Sequence, residues 1–332
     1  MRTFLPGPAA DEGYLARVLI DGAWTDPELP SLVATDDDGR VIGSITSEVR
    51  RMRHGSREIR GVCCAHLIVA PEGRGGATGA LLLGALVEAG QDVTWSETAS
   101  NDVVRIWQVY GGHADAARAC DWMLVLRPGT WMRSVGAAAA RRSLTREALP
   151  VGAFPFHAIA RGRMKSRIVD PGPDITSEDA GAEAIAAELG TMTRGLKVFV
   201  AHDEPYLAAV FEEVKRMQSP LVSRIVRRSG RAIGWYAYLP HTKRPSQTLH
   251  VCAARGEVGA VFDDLIRDAR ERGSSALAGR LEPHLIGVLR QRLAVVGFAR
   301  QPVIHATDPA LRAELGAPAA LITRLDGEWL TT

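Results

Sequence analysis

Cysteine, lysine and long apolar runs are what this 332-residue chain has least of. Its four cysteines, Cys63, Cys64, Cys120 and Cys252, include no CxxC pair, which excludes a disulfide framework and a thiolate metal ribbon. The nine histidines contain no HExxH or HxH cluster, so no local metal motif is present and no metal is expected. No stretch reaches the ~20 apolar residues of a membrane span, and the N-terminus lacks a continuous signal-peptide core, so a cytoplasmic location is expected. An excess of one charge is missing too. Lys+Arg 40 against Asp+Glu 38 leaves +2, far from the basic footprint of a nucleic-acid binder.

What is present is the composition of a folded globular protein, 46% hydrophobic and 23% charged, at a length that predicts two domains. A repeat supports the division. DGRVIGS at 38 to 44 and SGRAIGW at 229 to 235 share Gly-Arg-x-Ile-Gly, each between alternating apolar residues, the pattern of an antiparallel hairpin. Each hairpin is followed by an apolar run, CCAHLIVA or TLHVCAA, then by glycines, a helical pattern, a further strand (DVTWSE or ALAGRL) and a second helix. The fold class is therefore α/β, of the α+β mixed-sheet kind, built from two units at 1–128 and 165–332. Residues 129–164 carry no strand pattern and read as a partly helical linker.

The run HLIVAPEGRGGATGALLLGALVEAG, 66 to 90, is the phosphate-binding candidate. A strand ends at Pro71, glycines follow, and Leu81, Leu82, Leu86 and Val87 give a helical face. Glycines let several backbone N–H groups converge on one anion at a helix start. Without other context such a run is also a plain glycine-rich turn, and it superficially resembles a dinucleotide loop. A nucleotide-dependent oxidoreductase fails on context, because hairpins precede the loop where a βαβ unit should open.

The ordered set of motifs resembles the GNAT superfamily of acyl-CoA-dependent N-acyltransferases over residues 20 to 127. Arg74-Gly75-Gly76-Ala77-Thr78-Gly79 is similar to that family's Arg/Gln-x-x-Gly-x-Gly/Ala loop, with Ala77 at the first motif glycine. Asn101 matches the family's Asn, Trp107 stands where a Tyr is usual, and Gly111-Gly112 stand at Gly-Phe. The resemblance implies two tandem GNAT-like domains, the second degenerate. There Arg255-Gly256-Glu257-Val258-Gly259 is one residue shorter, and acidic Glu257 sits where a pyrophosphate needs donors.

The resemblance also implies acetyl-CoA, or another acyl-CoA, as co-substrate and direct attack by an amine. The loop Arg74, Gly75, Gly76, Ala77, Thr78, Gly79 and Ala80, with Asn101 nearby, would hold the pyrophosphate, and the backbone of Leu67 and Val69 the pantetheine. His66 is the only ionisable side chain inside its strand and is the first candidate base; the alternative is a half-buried strand histidine. Glu97 is the second, and Tyr110 the candidate acid. Neighbouring Cys63 and Cys64 point to opposite faces and read as packing, and RRMRHGSREIR, 50 to 60, as a solvated hairpin. Trp122, Trp235, Tyr236 and Trp329 could line an acceptor pocket or simply pack in the core. A non-catalytic acyl-CoA-binding protein is the competing class. The amine acceptor, a small molecule or a peptide, is not selected by the pattern, and neither is monomer over homodimer.

Overall fold

The computed structural model describes residues 13, 16–17, 20–74, 76–133, 166–217 and 220–328. Gly75, Trp329 and all of the expected linker beyond residue 133 lie outside the described residues.

The first half contributes β1 (Leu32–Thr35), β2 (Val41–His54), β3 (Arg57–Val69), α1 (Thr78–Val87), β4 (Val93–Ser96), α2 (Asn101–Val109), β5 (His113–Ala114) and β6 (Cys120–Val125). The second half begins with β7 (Ile175–Asp179), α3 (Ala182–Met192), β8 (Val198–Val200) and α4 (Glu204–Arg216). It then repeats the order of the first with β9 (Val222–Arg228), β10 (Arg231–Leu239), β11 (Ser246–Ala253), α5 (Val258–Glu271), β12 (Ala276–Arg280), α6 (Ile286–Gln291), β13 (Val295–Phe298) and β14 (Val303–Ala306). Helix α7 (Pro309–Leu315) and β15 (Ala320–Leu321) follow.

Both repeated hairpins form where the turn chemistry predicts them. Asp36 Oδ1 accepts from the Asp38 and Arg40 amides while Gly39 takes φ +80°; Ser229 and Gly230 both adopt positive φ, as a tight hairpin turn requires. In the basic hairpin β2–β3, Arg51, Arg53, Arg57 and Glu58 are exposed as expected, whereas Arg50 is buried against Glu48 and Met52 and Ile59 pack in the core. Trp122, Trp235 and Tyr236 are buried at 0% exposure, so they are core residues and line no open acceptor pocket.

The sheets cut across the sequence boundary. The first has the order β15-β8-β2-β3-β4-β14-β5, with β1 also on β2, and the second β13-β6-β12-β11-β10-β9-β7. Thus β14 from the second half inserts between β4 and β5, and β6 from the first inserts between β12 and β13, a reciprocal exchange of equivalent strands. Both are antiparallel to their hosts, with Ile304 opposite Trp95 and Leu124 opposite Leu277. The expected boundaries 1–128 and 165–332 therefore do not separate the two sheets.

Each half expressed alone leaves a buried apolar strand without its ladder, and such edges aggregate. Residues 1–128 and 165–332 are each expected in the insoluble fraction when made separately, and soluble when co-expressed. A soluble, monomeric first half with native near-ultraviolet circular dichroism would contradict this.

Candidate active site

Strands β3 and β4 run parallel only where Gly61 to Cys63 face Val93 to Trp95. Beyond that register β3 continues to Val69 while β4 ends at Ser96, and the strands part. The cause is local. The β2–β3 register shifts between Ser44 and Thr46, and opposite that shift His66 takes φ +51°, an extra residue that bends β3 away from its neighbour.

A cavity of about 240 Å³ fills the notch, walled by His66 and Leu67 of β3, Trp107 of α2, and Glu328 of the C-terminal segment. The Ala70 amide donates to Ile42 O in β2 at 2.8 Å. Because successive strand amides point to opposite edges, those of Val69 and Leu67 face the notch.

The turn Pro71–Gly73 leads to exposed Arg74, whose Nε donates to Val69 O at 3.2 Å. Helix α1 starts at Thr78 with Ala77 as its N-cap, which makes no side-chain cap hydrogen bond. Uncapped N–H groups at a helix start are an anion site in waiting. Carbon atoms built onto Gly76 and Gly79 would meet nothing closer than 3.6 and 3.5 Å, so these glycines leave room for a ligand instead of relieving a clash. At the start of α2, exposed Asn101 accepts from Gln301 Nε2 at 2.7 Å.

Two sequence-derived candidates do not reach the cleft. The Tyr110 hydroxyl donates to Ala80 O at 3.0 Å, tied to α1 by the helix packing. Glu97 is locked in a buried ion pair with Arg280 of β12, because the second half packs directly against the end of β4. Of the three residues expected to do acid–base work, only His66 faces the notch.

Instead the structure brings Glu328 there. Its carboxylate accepts from Ser96 Oγ and the Glu97 amide, both at 2.7 Å, and from Thr98 Oγ1. Burial first, and the neighbouring Glu97 carboxylate second, push its pKa up to about 7. Buried arginines fasten the segment that carries it: Arg280 Nη2 donates to Ile322 O at 2.7 Å, Arg50 Nε to Asp326 O at 3.2 Å, and Arg118 Nη1 to Leu315 O at 3.2 Å. No local sequence signal marks Glu328, since its partners lie in the other half of the chain.

The second half keeps the layout but closes its notch. There β11 and β12 pair only at Ser246–Gln247 with Leu277–Ala278, and His284 Nε2 donates to Val251 O at 2.9 Å. Glu257 at the start of α5 pairs with Arg228 at 2.9 Å. A cavity of about 430 Å³ lies beside Arg194 and Arg255, with His284 in its wall. That imidazole occupies the β11 edge that a thioester would need.

Solved structures share this architecture. A GCN5-related N-acetyltransferase from Anabaena variabilis aligns with a TM-score of 0.56 at 11% identity, over 90% of this chain and 67% of its own. One from Kribbella flavida aligns with a TM-score of 0.51 at 15% identity, over 84% of this chain. The present chain spans 60% of the length of the Kribbella protein. No family model matches the sequence, and no curated protein does. The fold is that of the GCN5-related N-acetyltransferases, and no described helix is long and apolar enough to cross a membrane.

Proposed function

We propose that the chain is an N-acyltransferase that moves an acyl group, most simply acetyl, from acyl-CoA to an amine in the β3–β4 notch. One observation carries the reading: two parallel strands part beside a glycine-rich turn and an uncapped helix start. Pyrophosphate would rest on the Arg74 to Ala80 turn, and the pantetheine would pair with the Leu67 and Val69 amides. The same amides would polarise the thioester carbonyl as charge develops on its oxygen.

The acceptor arrives as an ammonium and must lose a proton before it attacks. In this reading Glu328 takes that proton, with the His66 imidazole and the Cys64 thiol, the latter held protonated by burial, also on the notch wall. The amine nitrogen then bonds to the acyl carbon, the C–S bond breaks, CoA leaves as thiolate, and the second nitrogen proton passes to that thiolate or to water. A free thiol's pKa is about 8.5, so the leaving group needs little help from an acid, which suits a notch bearing Trp107 in place of a hydroxyl.

Calorimetric titration with acetyl-CoA, followed by a thiol-release assay over a panel of amines, tests the reading. One site per chain is expected, weakened at least about tenfold by Gly79→Asp, because a carboxylate there repels the pyrophosphate. The substitution fits sterically, and Gly259→Asp, at the equivalent place in the second half, is expected to be silent. Tight binding without turnover of any amine would favour a non-catalytic acyl-CoA-binding protein, a reading encouraged by the absence of Tyr110 from the cleft.

A further inference from the structure

Outside the notch, His202 after β8, His250 in β11 and Asp326 in the C-terminal turn Arg324–Asp326 meet in the core, each no more than 1% exposed. One ligand-type atom from each lies within 4.8 Å of the others. His202 Nε2 and Asp326 Oδ1 are 2.6 Å apart.

The hydrogen bonds settle which nitrogen of His250 carries the proton. Asp326 Oδ2 accepts from the Thr323 amide at 2.7 Å and from Thr323 Oγ1 at 3.0 Å. With its own proton spent on Asp326, the Thr323 hydroxyl can only accept from His250 Nδ1, 2.8 Å away. His250 therefore carries a proton on Nδ1, and its Nε2 is buried without a hydrogen-bond partner among the described residues. A buried acceptor left without a donor costs stability. An imidazole whose second nitrogen is tied to a hydroxyl and carboxylate relay is also how metal-binding histidines are held. Trp235 stacks on His250 at 4.0 Å and fixes the ring.

We propose that His202, His250 and Asp326 form a buried site for a zinc ion that pins the C-terminal segment between the two sheets. Two imidazoles and one carboxylate are a borderline donor set, suited to zinc and its neighbours and not to calcium or magnesium, which take oxygen. The ion takes the place of the hydrogen bond between His202 Nε2 and Asp326 Oδ1, which part from 2.6 Å to about 3.3 Å to ligate it, and takes a nitrogen of His250 as its third protein ligand. Loading leaves His202 bound through Nε2 with its proton on Nδ1 and involves no redox step. The Tyr206 hydroxyl, 3.2 Å from Asp326 Oδ1, is a further oxygen beside the site. The inference is independent of acyl transfer.

The test uses the full chain, purified without a chelating tag and refolded with zinc or cobalt(II). About one equivalent of metal per chain is expected after dialysis, with visible cobalt bands of tetrahedral intensity and zinc-edge X-ray absorption showing nitrogen and oxygen neighbours at about 2.0 Å. His250→Phe, which keeps a ring against Trp235, is expected to lose the metal. Less than about 0.1 equivalent in the wild-type chain, sulfur in the zinc shell, or cobalt bands unchanged in His250→Phe overturns the site. The wild-type stoichiometry and absorption spectrum decide the matter even if the variant does not fold.

Discussion

Glu328→Gln is expected to lower kcat by about 10²- to 10⁴-fold, the usual worth of a positioned base, while acetyl-CoA binding changes little. The amide keeps the size of the side chain and an oxygen for Ser96 and the Glu97 amide, so the loss reports proton transfer and not collapse of the notch. The same variant has an opposite effect on stability. The folded chain holds the Glu328 proton up to a pKa of about 7, against an ordinary value of 4.5. Between those two values the folded state binds more protons than the unfolded one, so stability falls as pH rises from about 4.5 to about 7 and is level above. At ~1.4 kcal/mol per unit the cost of ionising Glu328 is about 3 kcal/mol. Above pH 7 the glutamine variant, which has nothing to ionise, should therefore be the more stable protein by up to about that amount, and near pH 4.5 the two should coincide. Urea unfolding at the two pH values measures this. A variant less stable at pH 8 would mean that hydrogen bonds to the carboxylate outweigh its desolvation.

Arg280→Leu is expected to cost about 3–5 kcal/mol, since it leaves the buried Glu97 carboxyl without its cation and frees the Ile322 carbonyl. Arg280 is 2% exposed and Glu97 2%, so neither can turn to water. The double substitution Arg280→Leu with Glu97→Leu should be less damaging than Arg280→Leu alone, because removing both charges removes the desolvation cost with them. A double-mutant cycle on urea midpoints reads the coupling, and additive losses would show that the pair does not interact. The pair also joins β4 to β12, so an activity loss in Arg280→Leu would trace to displacement of the segment that carries Glu328.

Much of this was legible in the residues. Alternation around Asp38-Gly39 and Ser229-Gly230 predicts the two hairpins, and the apolar run ending at Pro71 before glycines predicts the strand, turn and helix of the candidate anion site. Glu257 signals the altered second turn. These are signals of short range, set by side-chain periodicity and backbone freedom within a few residues. They say nothing about partners far along the chain. Glu97 read as a second candidate base because its cation, Arg280, is supplied by the other half, and Tyr110 read as the candidate acid because helix spacing does not say which neighbouring carbonyl a hydroxyl will find.

The sequence by itself determined the order of strands and helices, their duplication and the place of the glycine-rich turn before α1. Only the tertiary structure decided which sheet each exchanged strand joins, because β6 and β14 are both short and apolar and would meet equivalent antiparallel neighbours in either half. No local preference distinguishes the exchanged pairing from the unexchanged one. That exchange, with the buried arginines that hold the C-terminal segment, is also what brings Glu328 to the first notch and Asp326 to His202 and His250.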